Sequence, residues 1–205
     1  MTKDCVILLA DLDTENVIKG LLTRPSALGC RSFSFDVFRH SRRDPGVRLE
    51  SADFLRAFAS DYGYAVVILD RHGSGADAIP PERIEQDIED ALQATWPRRA
   101  VAIVIDPELE VWVWSDSPEV DVDLGWQGRT PSLRQWLASE NLWQTEMAKP
   151  ADPKRAYQQA LLHVRKARSA SIFESLAGKV STKRCTDRAF LKLRRTLSTW
   201  FPPQP

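Results

Sequence analysis

Three short, uninterrupted apolar runs constrain the fold of this chain more than any other feature. They consist almost wholly of Val, Ile, Leu and Ala and lie at residues 5–10, 64–69 and 100–105. Such runs are typical of strands buried on both faces, as in parallel sheets covered by helices. Helical periodicity separates them, at residues 13–23, 52–59 and 82–96. The sequence therefore predicts βαβ units in a three-layer α/β fold with a mostly parallel sheet.

The segment between the first two runs predicts a further strand and a loop. Residues 32–38 alternate polar and apolar side chains, which favours a half-exposed strand near the edge of the sheet. Residues 40–47 are basic and contain Asp44-Pro45-Gly46, a combination typical of turns. We therefore expect a surface loop there.

The C-terminal part of the chain differs from the rest in charge. The whole chain is neutral, but residues 152–205 hold 12 Lys and Arg against three Asp and Glu. Two amphipathic helices are predicted in this part, at residues 154–167 and 187–200, so we divide the chain into an α/β domain, 1–150, and a basic helical extension packed on it, 151–205. The extension either binds a polyanion such as nucleic acid or docks on the acidic domain. The candidate phosphate contacts are Lys154, Arg155, Arg165, Lys166, Arg168, Lys183, Arg184, Arg194 and Arg195.

Acidic residues follow each of the three apolar runs. The first group is Asp11, Asp13 and Glu15, the second is Asp70 with His72, and the third is Asp106, Glu108 and Glu110. Because loops at the carboxyl ends of parallel strands share one edge, these side chains are expected to meet there. Clustered carboxylates repel one another unless a cation joins them, and oxygen ligands suit Mg²⁺ or Mn²⁺. The sequence thus predicts a divalent-metal site suited to phosphoryl chemistry.

The order of these groups resembles the Toprim-like domain family of bacterial and archaeal defence loci. The family places a glutamate after its first strand, an Asp-x-Asp pair after a later strand and further acids after the next. Glu15 takes the first place here, Asp70-Arg71-His72 takes the second, and residues 106–112, Asp-Pro-Glu-Leu-Glu-Val-Trp, resemble the third. The likeness covers about residues 4–126 and implies a Toprim-like, Rossmann-like fold.

The resemblance also implies roles for individual residues. Glu15, Asp70 and Glu108 would be the catalytic carboxylates facing the metal, joined as ligands by Glu110 and His72. Glu15 would alternatively act as a general acid or base. His72 departs from the family because it stands where a second aspartate is expected, and histidine suits Mn²⁺ better than Mg²⁺.

Three functions remain open from the sequence. The first is a metal-dependent nuclease of an antiviral defence system, and the second is a non-catalytic subunit that assembles with other defence proteins. A small-molecule phosphohydrolase is the third. The sequence contains no P-loop, no nucleophile elbow and no apolar stretch of membrane-spanning length, so we expect a cytoplasmic protein without membrane contact.

Overall fold

A four-stranded, all-parallel sheet forms the centre of the computed structural model, which describes residues 2–203. The strands are β1 (Lys3–Leu9), β2 (Phe35–Arg39), β3 (Tyr62–Asp70) and β4 (Ala100–Ile105), in the order β2-β1-β3-β4. Ile7 of β1 lies opposite Val37 of β2 on one side and Val66 of β3 on the other. The predicted α/β class with a parallel sheet is confirmed, and β2 is an edge strand as expected.

Helices surround this sheet and connect its strands. They are α1 (Leu12–Leu22), α2 (Pro25–Leu28), α3 (Arg43–Arg56), α4 (Pro81–Leu92), α5 (Pro118–Leu124), α6 (Leu133–Ser139), α7 (Pro153–His163), α8 (Ala170–Lys179) and α9 (Arg188–Trp200). A short 3₁₀ helix, Leu109–Trp112, follows β4. Within the described residues, no helix combines the length and the apolar character needed to cross a membrane.

The two faces of the sheet bury separate hydrophobic clusters. Successive strand residues point to opposite faces, so Ile7 and Val6 of β1 belong to different clusters. Helices α3 and α4 cover the face of Val6, whereas α1, α7, α8 and α9 contribute to the cluster around Ile7. Helices therefore lie on both sides of one sheet, in three layers.

The C-terminal region shares the core of the α/β domain. Tyr157 of α7, Phe173 of α8 and Leu193 of α9 are buried in the same cluster as the strand residues. Helix α8 packs closely on α1 at Gly20, where an added Cβ would lie 2.5 Å from the backbone oxygen of Glu174. The region is thus part of the layered fold, and the boundary that we place at residue 150 stays a prediction.

The tryptophans of residues 112–143 attach this region to the rest of the fold. Trp114, Trp126 and Trp143 are buried in the hydrophobic core. The indole of Trp114 donates to the carbonyl of Pro153 at 3.0 Å, and that of Trp126 donates to the carbonyl of Ala160 at 3.2 Å. These bonds hold α7 in place.

The prediction of a surface loop at residues 40–47 is wrong. Helix α3 begins at Arg43 and includes Asp44, Pro45 and Gly46 in its first turn and a half. Proline is tolerated there because first-turn amides have no partner within the helix. Gly46 is needed because an added Cβ would collide with the His40 imidazole. The residues that read as a turn are therefore the start of a helix.

The open edge of β4 is covered by side chains. Glu85 and Glu89 of α4 accept hydrogen bonds from the amides of Val104 and Ala102, at 2.9 and 3.0 Å. Arg188 of α9 donates to the Val104 carbonyl at 2.8 Å and also pairs with Glu85. Part of the basic extension therefore docks on acidic residues of the α/β domain, as one of the two sequence interpretations expected.

Candidate functional site

The acidic residues meet at the carboxyl edge of the sheet, where β1 and β3 lie side by side. The chain leaves β1 towards β2 on one side and leaves β3 towards β4 on the other. Such a reversal opens a crevice in which α/β proteins bind their ligands. Asp11 follows β1 and caps α1 by accepting from the Thr14 amide at 2.9 Å. Asp70 ends β3 next to it.

Asp70 carries a buried carboxyl group at this edge. Its Oδ1 atom is buried and accepts no hydrogen bond from any described residue, while its amide donates to Oδ1 of Asp44 at 2.8 Å. Burial raises the pKa of the Asp70 carboxyl well above its usual range. The charges of Asp44, Glu110 and Asp11 raise this pKa further, and a hydrogen bond from the Leu109 amide to the carboxylate opposes them. Like charges are thus gathered around a buried oxygen that lacks a donor.

Glu108 and Glu110 bring two more buried carboxylates to this edge. They flank Leu109 at the start of the 3₁₀ helix after β4 and are only 4% and 2% exposed. Glu108 accepts from Lys154 at 2.7 Å, and Glu110 accepts from Arg168 at 3.3 Å. Burial raises the pKa of the Glu110 carboxyl. Both carboxylates are therefore held by cations of the C-terminal region.

Lys154 lies among the acidic side chains. Its positive charge opposes the upward pKa shifts that burial causes in Asp13, Asp44 and Glu110. Burial alone would lower the pKa of the lysine, but its hydrogen bond to Glu108 and the nearby negative charges outweigh this effect and raise the pKa. Lys154 therefore stays charged and balances several carboxylates at once.

Local structure fixes the positions of both cations. Lys154 follows Pro153 in the first turn of α7, whose cap is Asp152 accepting from the Arg155 amide at 2.9 Å. The Pro153 carbonyl accepts from the buried Trp114 indole, which ties this turn to the segment after Glu110.

Arg168 occupies the connection between α7 and α8, directly before Ser169, the cap of α8. Its guanidinium pairs with Asp13 at 2.5 Å as well as with Glu110. This single side chain therefore connects the acid after β1 with an acid after β4.

The structure separates the other predicted site residues from this group. Glu15, on α1, pairs with Lys19 at 2.6 Å and Arg39 at 2.9 Å, on the β2 side. The side chain of His72 is 67% exposed, and its Nδ1 atom lies 3.9 Å from Oε2 of Glu108. Asp106 pairs with Arg71 at 2.8 Å. Asp70, Glu108 and Glu110 thus lie around Lys154 at one edge, His72 borders the group, and Glu15 is engaged elsewhere.

The basic residues chosen for phosphate binding divide into four groups by their surroundings. Lys154 and Arg168 face the acidic site, as described. Lys166 donates to the Asp123 carbonyl and Arg184 to the Asp116 carbonyl, at 2.6 and 2.9 Å. Arg194 is half-buried, and the exposed remainder are Arg155, Arg165, Lys183 and Arg195. The exposed set has no side-chain ion pair with other described residues and stays available to a polyanion.

Two members of the acidic site were missed from the sequence. Asp44 lies in the segment that read as a loop, although it follows β2 as Asp11 follows β1. Asp44 could have been identified by including the half-exposed strand among those whose following acidic residues meet at the carboxyl edge. Lys154 was interpreted only as a phosphate contact, because no local pattern shows that a residue of α7 reaches Glu108.

The donor set fits Mg²⁺ or Mn²⁺ in its chemistry. Carboxylate oxygens are the ligands that these ions prefer, and the buried Oδ1 atom of Asp70 has no hydrogen-bond partner among the described residues. As the side chains of residues 2–203 are placed, no three Asp, Glu, His or Cys converge to hold a metal ion. Glu108 and Glu110 are instead turned to Lys154 and Arg168. Metal binding therefore needs these two carboxylates to exchange their partners.

Comparison with known proteins gives no relative: no family model, curated protein or solved structure matches the chain.

Proposed function

We propose that this protein is a divalent-metal-dependent phosphoryl-transfer enzyme, a nuclease of the Toprim-like kind, whose site lies at the carboxyl edge of the sheet. The observation that carries the proposal is the buried, unpartnered Oδ1 of Asp70 among the charges of Asp44, Glu110 and Asp11. A fold that gathers like charges around a buried oxygen sacrifices stability there, and such sites are usually functional.

The residues of this edge have distinct roles in the proposed reaction. Asp70, Glu108 and Glu110 would hold Mg²⁺ or Mn²⁺, which supplies Lewis-acid polarisation of the phosphoryl oxygens. His72 is exposed at the border of the group, where its imidazole can exchange protons with water or substrate. Glu15 would join only after leaving Lys19 and Arg39, so its metal and acid–base roles stay predictions.

The substrate of this proposal is a nucleic acid. Arg155, Arg165, Lys183 and Arg195 are exposed on the C-terminal region and would contact phosphates by charge. The resemblance to Toprim-like proteins of defence loci points to invading phage DNA or RNA as the target and to other defence proteins as partners. Binding through phosphates alone should weaken steeply as salt is added.

A cleavage assay tests this proposal. Purified protein with Mg²⁺ or Mn²⁺ should cut plasmid DNA, phage DNA or RNA, and chelation should abolish cutting. Asp70→Asn and Glu110→Gln should lose activity, whereas Asp53→Asn, at an exposed aspartate of α3, should keep it. If every nucleic acid stays intact, or if Asp70→Asn cuts as well as the wild type, the nuclease proposal is wrong.

A second candidate is a non-catalytic subunit of a larger defence complex. It is favoured by the ion pairs of Lys154 and Arg168, which already neutralise Glu108, Glu110 and Asp13. The histidine at position 72 favours it as well. For this candidate, neighbouring gene products should co-purify with the protein, and the complex should survive Asp70→Ala. Metal-dependent cleavage by the isolated protein would contradict it.

A further inference from the structure

Lys154 and Arg168 place two positive charges where the proposed metal site gathers its carboxylates. The Lys154 ammonium lies 2.7 Å from Oε2 of Glu108, and the Arg168 guanidinium lies 3.3 Å from Oε1 of Glu110. The two glutamate side chains are almost completely buried, at 6% and 3% exposure, while the two cations are 42% and 45% exposed. The acids are thus fixed in the interior, and the cations approach them from the surface.

This difference in burial decides which partner can leave. A buried, ionised carboxylate that loses its cation would suffer a large desolvation cost, so each ionised glutamate needs a positive partner. A partly exposed lysine can return its ammonium to water at little cost, because its long stem rotates freely. A cation from solution can therefore replace the ammonium without leaving a buried charge unpaired.

We infer that Lys154, assisted by Arg168, is an internal counter-cation that competes with the divalent metal for Glu108 and Glu110, and so sets the metal affinity of the site. This inference rests on the proposed metal site. It explains why no three ligands converge while Lys154 is paired, since Glu108 cannot bind the ammonium and a metal ion equally well.

The same geometry links metal binding to the C-terminal region. Lys154 belongs to the first turn of α7, and Arg168 joins α7 to α8. Displacement of both side chains would free two positive charges at the edge of the acidic site. The region that carries the exposed phosphate contacts would then gain cations only when the metal is in place.

Calorimetric titration with Mn²⁺ tests the competition. Lys154→Met keeps the length of the side chain and removes its charge, so it should bind Mn²⁺ on the order of tenfold tighter than the wild type. Lys154→Arg should stay close to the wild type. Lys179→Met is the matched control, because it removes one charge from α8 where Lys179 pairs with Asp123, away from Glu108.

A labelling experiment gives a second readout that does not depend on affinity or activity. An amine-reactive acetylating reagent, followed by mass spectrometry of peptides, reports how accessible each lysine is. Mn²⁺ should increase the acetylation of Lys154 in the wild type and leave that of Lys179 unchanged. Unchanged or reduced labelling of Lys154 in the Mn²⁺-bound protein would overturn the inference.

The titration outcomes separate this inference from the proposed function. If the wild type binds Mn²⁺ and Lys154→Met binds it no tighter than Lys179→Met does, the competition is refuted while the metal site stands. If only Lys154→Met binds Mn²⁺, the competition is confirmed in its strongest form. If neither protein binds Mn²⁺, the proposed metal site fails and the inference fails with it.

Discussion

At the scale of single residues, Asp70 should make the fold depend on pH. Its pKa is raised from the ordinary value of 3.8, first by burial and then by neighbouring negative charges. The folded chain therefore binds this proton more tightly than the unfolded chain does. The resulting contribution to stability is complete below the unfolded pKa and is lost as the pH rises through the folded pKa. At pH 8, far above the ordinary value of 3.8, Asp70 should therefore stabilise the fold less than it does in acid.

Asp70→Asn should therefore raise the Tm of chelator-treated protein at pH 8 by a few degrees, because asparagine has a similar shape without the charge. The difference in Tm between variant and wild type should narrow as the pH falls through the folded pKa. Thermal melts across a pH series measure it, with Asp53→Asn as the control for a surface aspartate. A variant that is less stable than the wild type at pH 8 would contradict the account of this site.

The residue scale also shows what the sequence could identify of the site. Asp70, Glu108 and Glu110 could be found because they directly follow buried strands, and parallel topology then brings them to one edge. Lys154 could not, because its position depends on the Trp114–Pro153 hydrogen bond and on the packing of α7. Glu15 was chosen from the family pattern, yet Lys19 and Arg39 hold it on the β2 side.

At the scale of elements, the contact between α1 and α8 depends on a glycine. A Cβ at Gly20 would lie 2.5 Å from the Glu174 oxygen and 2.9 Å from the Ala177 Cβ, both on α8. Gly20→Ala should therefore push the helices apart and lower the free energy of unfolding by about 1–3 kcal/mol, despite the higher helix propensity of alanine. Chemical denaturation measures this loss.

Gly178 is the matched control for that variant. It lies in α8, and an added Cβ would meet nothing within 4 Å. Gly178→Ala should be neutral or stabilise the protein by up to about 1 kcal/mol, because alanine restricts the unfolded chain. Equal effects of the two substitutions would show that α1 and α8 do not pack as described.

The covered edge of β4 gives a second prediction at this scale. Glu85 is 3% exposed, accepts from the Val104 amide and pairs with Arg188 and Lys192. Glu85→Ala should lower the free energy of unfolding by about 2–3 kcal/mol. The loss is smaller than for breaking a fully buried ion pair, because the Arg188 side chain is 36% exposed. The uncovered amide should also promote edge-to-edge association.

Denaturation and light scattering over a concentration series measure both effects of Glu85→Ala. Glu82→Ala removes an exposed partner of Arg188 that lies 3.1 Å away, and it serves as the control. A Glu85→Ala protein that is as stable and as monodisperse as the control would exclude a protective role for Glu85 at this edge.

The elements themselves were predictable where the pattern was local. The apolar runs at 5–10, 64–69 and 100–105 can be buried on both faces only if helices cover both sides of the sheet. They correspond to β1, β3 and β4. The start of α3 was missed because Asp44-Pro45-Gly46 has the composition of a turn. The His40 ring lies so close to Gly46 that it leaves no room for a Cβ, a contact that the local composition does not reveal. Helix α8 was not predicted, because its apolar face is recognisable only from its packing against α1.

At the scale of the whole molecule, the C-terminal region completes the hydrophobic core. Tyr157, Phe173 and Leu193 are buried against the sheet and α1. A fragment of residues 1–150 would expose that apolar surface to water. It should therefore bind a hydrophobic dye and should not unfold cooperatively. Thermal melts and binding of a hydrophobic dye measure this. A fragment with a sharp transition and no dye binding would establish residues 1–150 as an independent domain.

The role of the basic residues in the C-terminal region can be assigned only from the whole molecule. The excess of Lys and Arg after residue 151 predicted either a polyanion or docking, and the structure shows the docking. Arg188 and Lys192 pair with Glu85, and Lys154 and Arg168 pair with the acidic site. Arg155, Arg165, Lys183 and Arg195 are exposed, and their binding to a polyanion stays a prediction. Composition alone could not separate the paired from the exposed basic residues, because the separation depends on which acidic residues each helix contacts.

Anomalous diffraction from crystals grown with Mn²⁺ tests the central claim most directly. We expect one strong manganese peak at the carboxyl edge of the sheet, within coordinating distance of Asp70 and of Glu108 or Glu110, with the Lys154 ammonium displaced from Glu108. No manganese peak at this edge, with Lys154 still paired to Glu108, would contradict the assignment of these carboxylates as a metal site.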